Sequence, residues 1–139
     1  MKTRRILVVD DDVQSTRMVK LSLERTGHYE VRELNDPAPT LTVAREFKPD
    51  LILLDVCMPG TQGVDVAFQI RADAEFQRTP VVFITSLVSE WEAVGDGTSE
   101  GGFHFVAKPP RLPRMITCIE KSLNTRWHAD EFSIEGKHP

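Results

Sequence analysis

Three consecutive aspartates, Asp10-Asp11-Asp12, close the apolar run Ile6-Leu7-Val8-Val9, and a further aspartate, Asp55, closes Leu51-Ile52-Leu53-Leu54. Apolar runs this short and unbroken read as strands buried on both faces of a parallel sheet. The carboxyl ends of such strands open onto one crevice, where ligands bind. Carboxylates delivered there from two strands repel one another unless a divalent cation or a proton relieves them. Two more runs reach the same edge: Val81 to Thr85, followed by Ser86, and Phe103 to Ala107, followed by Lys108. Two or three hard carboxylate oxygens suit Mg²⁺. A carboxylate held beside such an ion can attack phosphorus and become an aspartyl phosphate. That reaction needs positioning and charge neutralisation above all, which Lys108, the Thr85 hydroxyl and nearby backbone N–H groups can supply.

The elements that must position these groups alternate. Strand-like runs at Ile6–Val9, Tyr29–Leu34, Leu51–Leu54, Val81–Thr85 and Phe103–Ala107 are separated by segments with helical punctuation. A first helix is expected over Val13–Thr26, with Asp12 as N-cap and Gly27 just past its end. A second is signalled to start at Asp36-Pro37 and must stop before Pro49. A third is expected over Val64–Ala72. A short fourth carries Leu87, Trp91 and Val94 on one face and gives way to the glycine-rich stretch Gly95–Gly102. The last follows Pro113, with Leu112, Ile116, Ile119 and Leu123 along one stripe. Alternation of this kind implies an α/β fold, a parallel sheet with helices on both faces and right-handed crossovers.

With these residues placed, the chain resembles the receiver domain of two-component response regulators. The resemblance rests on Val8-Val9-Asp10-Asp11-Asp12, on Asp55-Val56-Cys57-Met58-Pro59-Gly60 with Gly63, on Thr85-Ser86, and on Phe105-Val106-Ala107-Lys108-Pro109. It covers residues 4 to about 124, leaving 125–139 as a tail without periodic pattern, a loose end or a docking extension. The resemblance implies a flavodoxin-like, doubly wound, five-stranded sheet in the order 2-1-3-4-5 with five helices. It implies Asp55 as the residue phosphorylated by a sensor histidine kinase or a histidine phosphotransfer protein. It implies Mg²⁺ held by Asp11, Asp55 and the Cys57 backbone carbonyl, with Asp10 acting partly through water. Thr85 and Phe105 would form a switch pair, and a cis Lys108–Pro109 bond would aim the lysine at the site. The output would be a changed affinity for a downstream protein, with a homodimer through the fourth helix, fifth strand and fifth helix.

Several residues have plainer readings. Asp12 is foremost a helix cap, Gly60 and Gly63 are turn residues, and Phe105 is also a core residue. Cys57 has no thiol or imidazole neighbours in sequence to make it a redox site, and Cys118 reads as a small buried hydrophobe. The four histidines lack ligand spacing. Pro110 stands where the family usually has an aromatic residue. Cys57 and Leu87, two positions after the nucleophile and the switch threonine, are poorly suited to hold a hydrolytic water, so slow autodephosphorylation is expected.

Two other functions share this chemistry. A haloacid-dehalogenase-type phosphatase also uses an aspartyl nucleophile and Mg²⁺, and Asp10-Asp11-Asp12 contains its Asp-x-Asp pattern. Gly95-Asp96-Gly97 mimics its later acidic motif. That family places its lysine before the acidic motif, whereas Lys108 follows it, and 139 residues leave no room for its cap insertion. A phosphorylation-independent pseudo-receiver is opposed by the complete acidic set. The chain has the length of one domain. A net charge of −4 opposes a general nucleic-acid surface. Two distant cysteines and the lack of a secretory or membrane-spanning run lead us to expect a cytoplasmic protein.

Overall fold

The computed structural model describes residues 2–85 and 104–135, with side chains described over 2–84 and 104–124. In chain order the elements are β1 (Arg4–Val9), α1 (Val13–Arg25), β2 (Tyr29–Leu34), α2 (Thr40–Phe47), β3 (Leu51–Asp55), β4 (Cys57–Met58), β5 (Thr61–Gln62), α3 (Gly63–Ala72), β6 (Val81–Thr85), β7 (His104–Ala107) and α4 (Leu112–Glu135). The main sheet is parallel, in the order β2-β1-β3-β6-β7. This is the expected 2-1-3-4-5 once the small antiparallel β4–β5 hairpin is set aside. The expected fourth helix and the glycine-rich stretch lie outside the described residues.

The unbroken apolar runs follow from burial on both faces. Ile6, Val8, Leu51 and Leu53 point to one side and pack with Val19 and Leu23 of α1 and Met115 and Ile119 of α4. Leu7, Val9, Ile52 and Leu54 point to the other and meet Val43, Ala44 and Phe47 of α2 and Val66, Ala67 and Ile70 of α3. All eight strand residues are essentially inaccessible to water. Each such side chain contributes about 1.5–3 kcal/mol on burial, so the two central strands form a rigid platform.

Local signals fix most boundaries. The Asp12 side chain caps α1 by accepting from the Gln14 N–H at 3.0 Å, and Gly27, with φ of +85°, takes the left-handed position after the Thr26 C-cap. The second helix starts later than Asp36-Pro37 suggests. Asp36 instead closes a turn on the Ala38 N–H (3.1 Å), and α2 begins at Thr40, whose hydroxyl donates to the Pro37 carbonyl at 2.7 Å. An Asx turn competed with the cap and won. The last helix carries the expected stripe, with Ile119 and Leu123 buried and Leu112 and Ile116 packed at the edge of the same core. Its backbone continues to Glu135, through much of the segment read as a patternless tail.

Candidate functional site

Sheet register brings the scattered aspartates together. Val9 is level with Leu54 across β1 and β3, so the next residues along, Asp10 and Asp55, leave the sheet side by side. Thr85 is level with Ala107 across β6 and β7, which puts Lys108 one step beyond the same edge. The Asp10, Asp11 and Asp55 carboxylates each offer an oxygen within 4.8 Å of the others. Asp10 and Asp55 are buried, whereas Asp11 is exposed. Lys108 Nζ lies 2.8 Å from Asp10 Oδ2 and 3.8 Å from Asp55 Oδ2, bridging the two buried carboxylates.

The loops reinforce this arrangement. Asp10 Oδ1 accepts the Asp12 N–H at 2.9 Å, so both oxygens of the Asp10 carboxylate have partners within the protein. The Cys57 N–H bonds the Asp55 carboxylate, and Cys57 itself is exposed at the start of β4. The β4–β5 hairpin turns at Gly60, whose φ is +74°, so this residue is the turn glycine that the sequence suggests. Gly63 has a different job. It opens α3 with its N–H on the Val56 carbonyl at 2.7 Å. A Cβ there would overlap the main-chain oxygen of Asp55. Close approach, not turn geometry, requires glycine at this position, and it presses the loop back onto the strand end that carries Asp55.

The electrostatics are those of an acidic pocket with one cation too few. Burial and the neighbouring Asp10 charge push the Asp55 carboxyl up to about 6, with a smaller push from Asp11. Lys108 and the Cys57 N–H oppose that rise without cancelling it. Burial alone would lower the Lys108 ammonium, but its hydrogen bond and charge pairing with Asp10, then Asp55 and Asp12, hold it above its ordinary value. Asp12 faces the other way. The Ser15 hydroxyl outweighs burial, and with the Gln14 N–H it keeps the Asp12 carboxyl below its ordinary value, as a helix cap should. No buried side-chain polar atom among the described residues lacks a partner. The unmet demand in the pocket is therefore for charge, which a hard divalent cation on carboxylate oxygens would meet.

The rest of the expected set is partly placed. The Thr85 backbone ends β6 at the right edge, and its side chain lies outside the described residues. Phe105 is half-buried on β7 and stacks on Phe83, with ring centroids 5.3 Å apart. The Lys108–Pro109 peptide is cis. One site feature had no counterpart in the sequence reading. The Asn35 side chain, just past β2, donates to the Asp10 main-chain carbonyl at 2.8 Å. Only the strand order, which sets β2 beside β1, could have pointed to it.

Comparison with known proteins bears directly on this arrangement. The family model of the response regulator receiver domain matches residues 6–120. The chain belongs to the response-regulator receiver family. It is 34% identical over 128 residues to the DNA-binding response regulator MtrA of Mycolicibacterium smegmatis, covering 92% of this chain and 53% of that protein. It thus spans about half the length of such relatives. It is also 36% identical to Protein PilH of Pseudomonas aeruginosa, covering 86% of this chain and 97% of that protein. Among solved structures it resembles the chemotaxis protein CheY4 of Vibrio cholerae, with a TM-score of 0.73 and 26% identity over 86% of this chain and 98% of that one. Family membership leaves the dehalogenase-type reading without support. No described helix is long and apolar enough to cross a membrane.

Proposed function

We propose that Asp55 accepts a phosphoryl group from a phosphohistidine, on a sensor histidine kinase or a histidine phosphotransfer protein, in a Mg²⁺-dependent reaction. The observation that carries this reading is the convergence of three carboxylates and Lys108 on one sheet edge, with Asp55 buried at its centre. As the family resemblance implies, Asp11, Asp55 and the Cys57 carbonyl would hold the ion, and Asp10, whose two oxygens already have partners within the protein, would act partly through water. When bound, Mg²⁺ would neutralise the carboxylates and the incoming phosphoryl oxygens. An Asp55 oxygen attacks phosphorus, the new P–O bond replaces the P–N bond, and the imidazole leaves with the electron pair. Lys108, tethered to Asp10, sits 3.8 Å from Asp55 and steadies the charge that builds on the transferred group. The Thr85 hydroxyl is assigned the remaining phosphoryl contact, and Phe105 the packing change that follows it.

A docking face for the phosphodonor fits beside the pocket. Val13, Met18 and Leu21 stand exposed along α1 and, with Arg17 and Arg25, line a cleft of about 480 Å³. Met18 also borders a second cleft, lined by Asp12, Lys108, Pro109 and Pro110, and Lys108 is shared between that cleft and the site. An exposed apolar stripe with a basic rim suits a helical partner. Phosphorylation would then shift the balance between two surfaces, changing affinity for a downstream protein or for a second copy of the chain. Incubation with Mg²⁺ and acetyl phosphate, followed by peptide mapping, tests the central step. One phosphoryl group on Asp55, absent from Asp55→Asn, is expected. Steady phosphate release without a stable adduct, or label on another residue, would overturn it.

A further inference from the structure

We propose that Asn35 is a positioning residue for the metal-binding turn, an inference that rests on the Mg²⁺ reading above. Asp10 is gripped from the β2 side through both peptides that flank it, and the peptide joining it to Asp11 is held at its carbonyl by Asn35. The Asp10 N–H donates to the Leu34 carbonyl at 3.0 Å, and the Asp10 carbonyl accepts from Asn35 Nδ2 at 2.8 Å. The second amide hydrogen of Asn35 goes to Thr16 Oγ1 at 3.0 Å, in the first turn of α1. Thr16 is fully buried, and its hydroxyl lies 3.1 Å from both the Val13 carbonyl and the Glu33 carboxylate, either of which can accept its single hydrogen; Glu33 in turn pairs with Arg17 at 3.5 Å. One short amide therefore locks the end of β1 to the start of α1.

This matters because the orientation of the Asp10 carbonyl fixes the direction in which the next residue leaves the strand. Asp10 is held by Lys108 and the Asp12 N–H, but Asp11 is exposed. The Asp10 carboxylate braces the turn across Asp11 through the Asp12 N–H, and Asn35 sets the plane of the Asp10–Asp11 peptide from which the Asp11 carboxylate reaches towards Asp55. A neutral amide suits the place, since it offers two donors on a short stem without adding charge beside three carboxylates. Aspartate there would set its own oxygens against the Asp10 carbonyl. Groups that orient metal ligands in this manner typically change affinity by about 10- to 100-fold when removed.

The test is calorimetric titration of Mg²⁺ into wild type, Asn35→Leu and Thr16→Val, each well below its unfolding temperature. Asn35→Leu should bind Mg²⁺ about tenfold or more weakly. Its phosphorylation rate with acetyl phosphate should recover towards wild type at saturating Mg²⁺. Thr16→Val, which spares the Asp10 contact, should melt at lower temperature and bind Mg²⁺ within about twofold of wild type. Equal affinity in Asn35→Leu and wild type would overturn the inference alone. So would an equal loss in Thr16→Val, which would assign the effect to a loosened α1. Failure of wild type to bind Mg²⁺ would overturn the reading of the site and this inference with it.

Discussion

Replacing Asp55 by asparagine should stabilise the metal-free protein. The buried carboxyl titrates at about 6 instead of its ordinary 3.8, so the folded state holds this proton more tightly than the unfolded chain does. Stability is therefore lost as pH rises through that interval, and above it the full penalty remains. The interval converts to about 3 kcal/mol as an upper bound. Solvent reaching the exposed Asp11 side of the pocket reduces this to about 1–2 kcal/mol. Asparagine keeps an oxygen for the Cys57 N–H and removes the charge that Asp10 repels. Urea unfolding in EDTA at pH 8 should show Asp55→Asn more stable by that amount, with the gap closing near pH 4. Added Mg²⁺ should then stabilise wild type more than the variant. An asparagine variant no more stable than wild type at pH 8, or an advantage that does not change with pH, would show that the Asp55 charge carries no such penalty in the folded state.

Lys108→Met leaves Asp10 and Asp55 repelling without their shared cation. The Asp55 carboxyl should titrate above about 6 by NMR, and initial phosphorylation rates should fall about a hundredfold. Gly63→Ala forces a methyl group into the Asp55 carbonyl, so unfolding in urea should show a loss of about 1–3 kcal/mol, and phosphorylation of Asp55 should slow. The phosphoryl group on wild-type Asp55 should decay slowly, and a Cys57→Asn, Leu87→Glu double variant should lose it faster. Direct decay measurements would count against this if wild type lost its label within seconds.

Most of the architecture was legible because the signals are local and strong. The runs at Ile6–Val9 and Leu51–Leu54 are apolar at every position, as strands buried on both faces are, and for that reason the face each side chain takes was not legible until the packing was seen. Their terminal aspartates announced the site because like charges at one sheet edge require a counter-charge. What escaped depended on contacts remote in sequence or on competing local chemistry. Asn35 bonds Asp10 across the β1–β2 pairing, and nothing within a few residues of Asn35 signals it. Asp36 looked like the start of a helix, yet its side chain closed a turn and moved the start to Thr40. Gly63 reads as a turn glycine in isolation, and its requirement becomes visible only where α3 meets the Asp55 carbonyl.

A crystal structure of the chain with Mg²⁺ and beryllofluoride would test the convergence most directly. The expected result is beryllium on an Asp55 oxygen, with Lys108 against its fluorides and the ion beside Asp11. A beryllofluoride group elsewhere, or an ion that ignores the Asp10–Asp11 turn, would contradict the account.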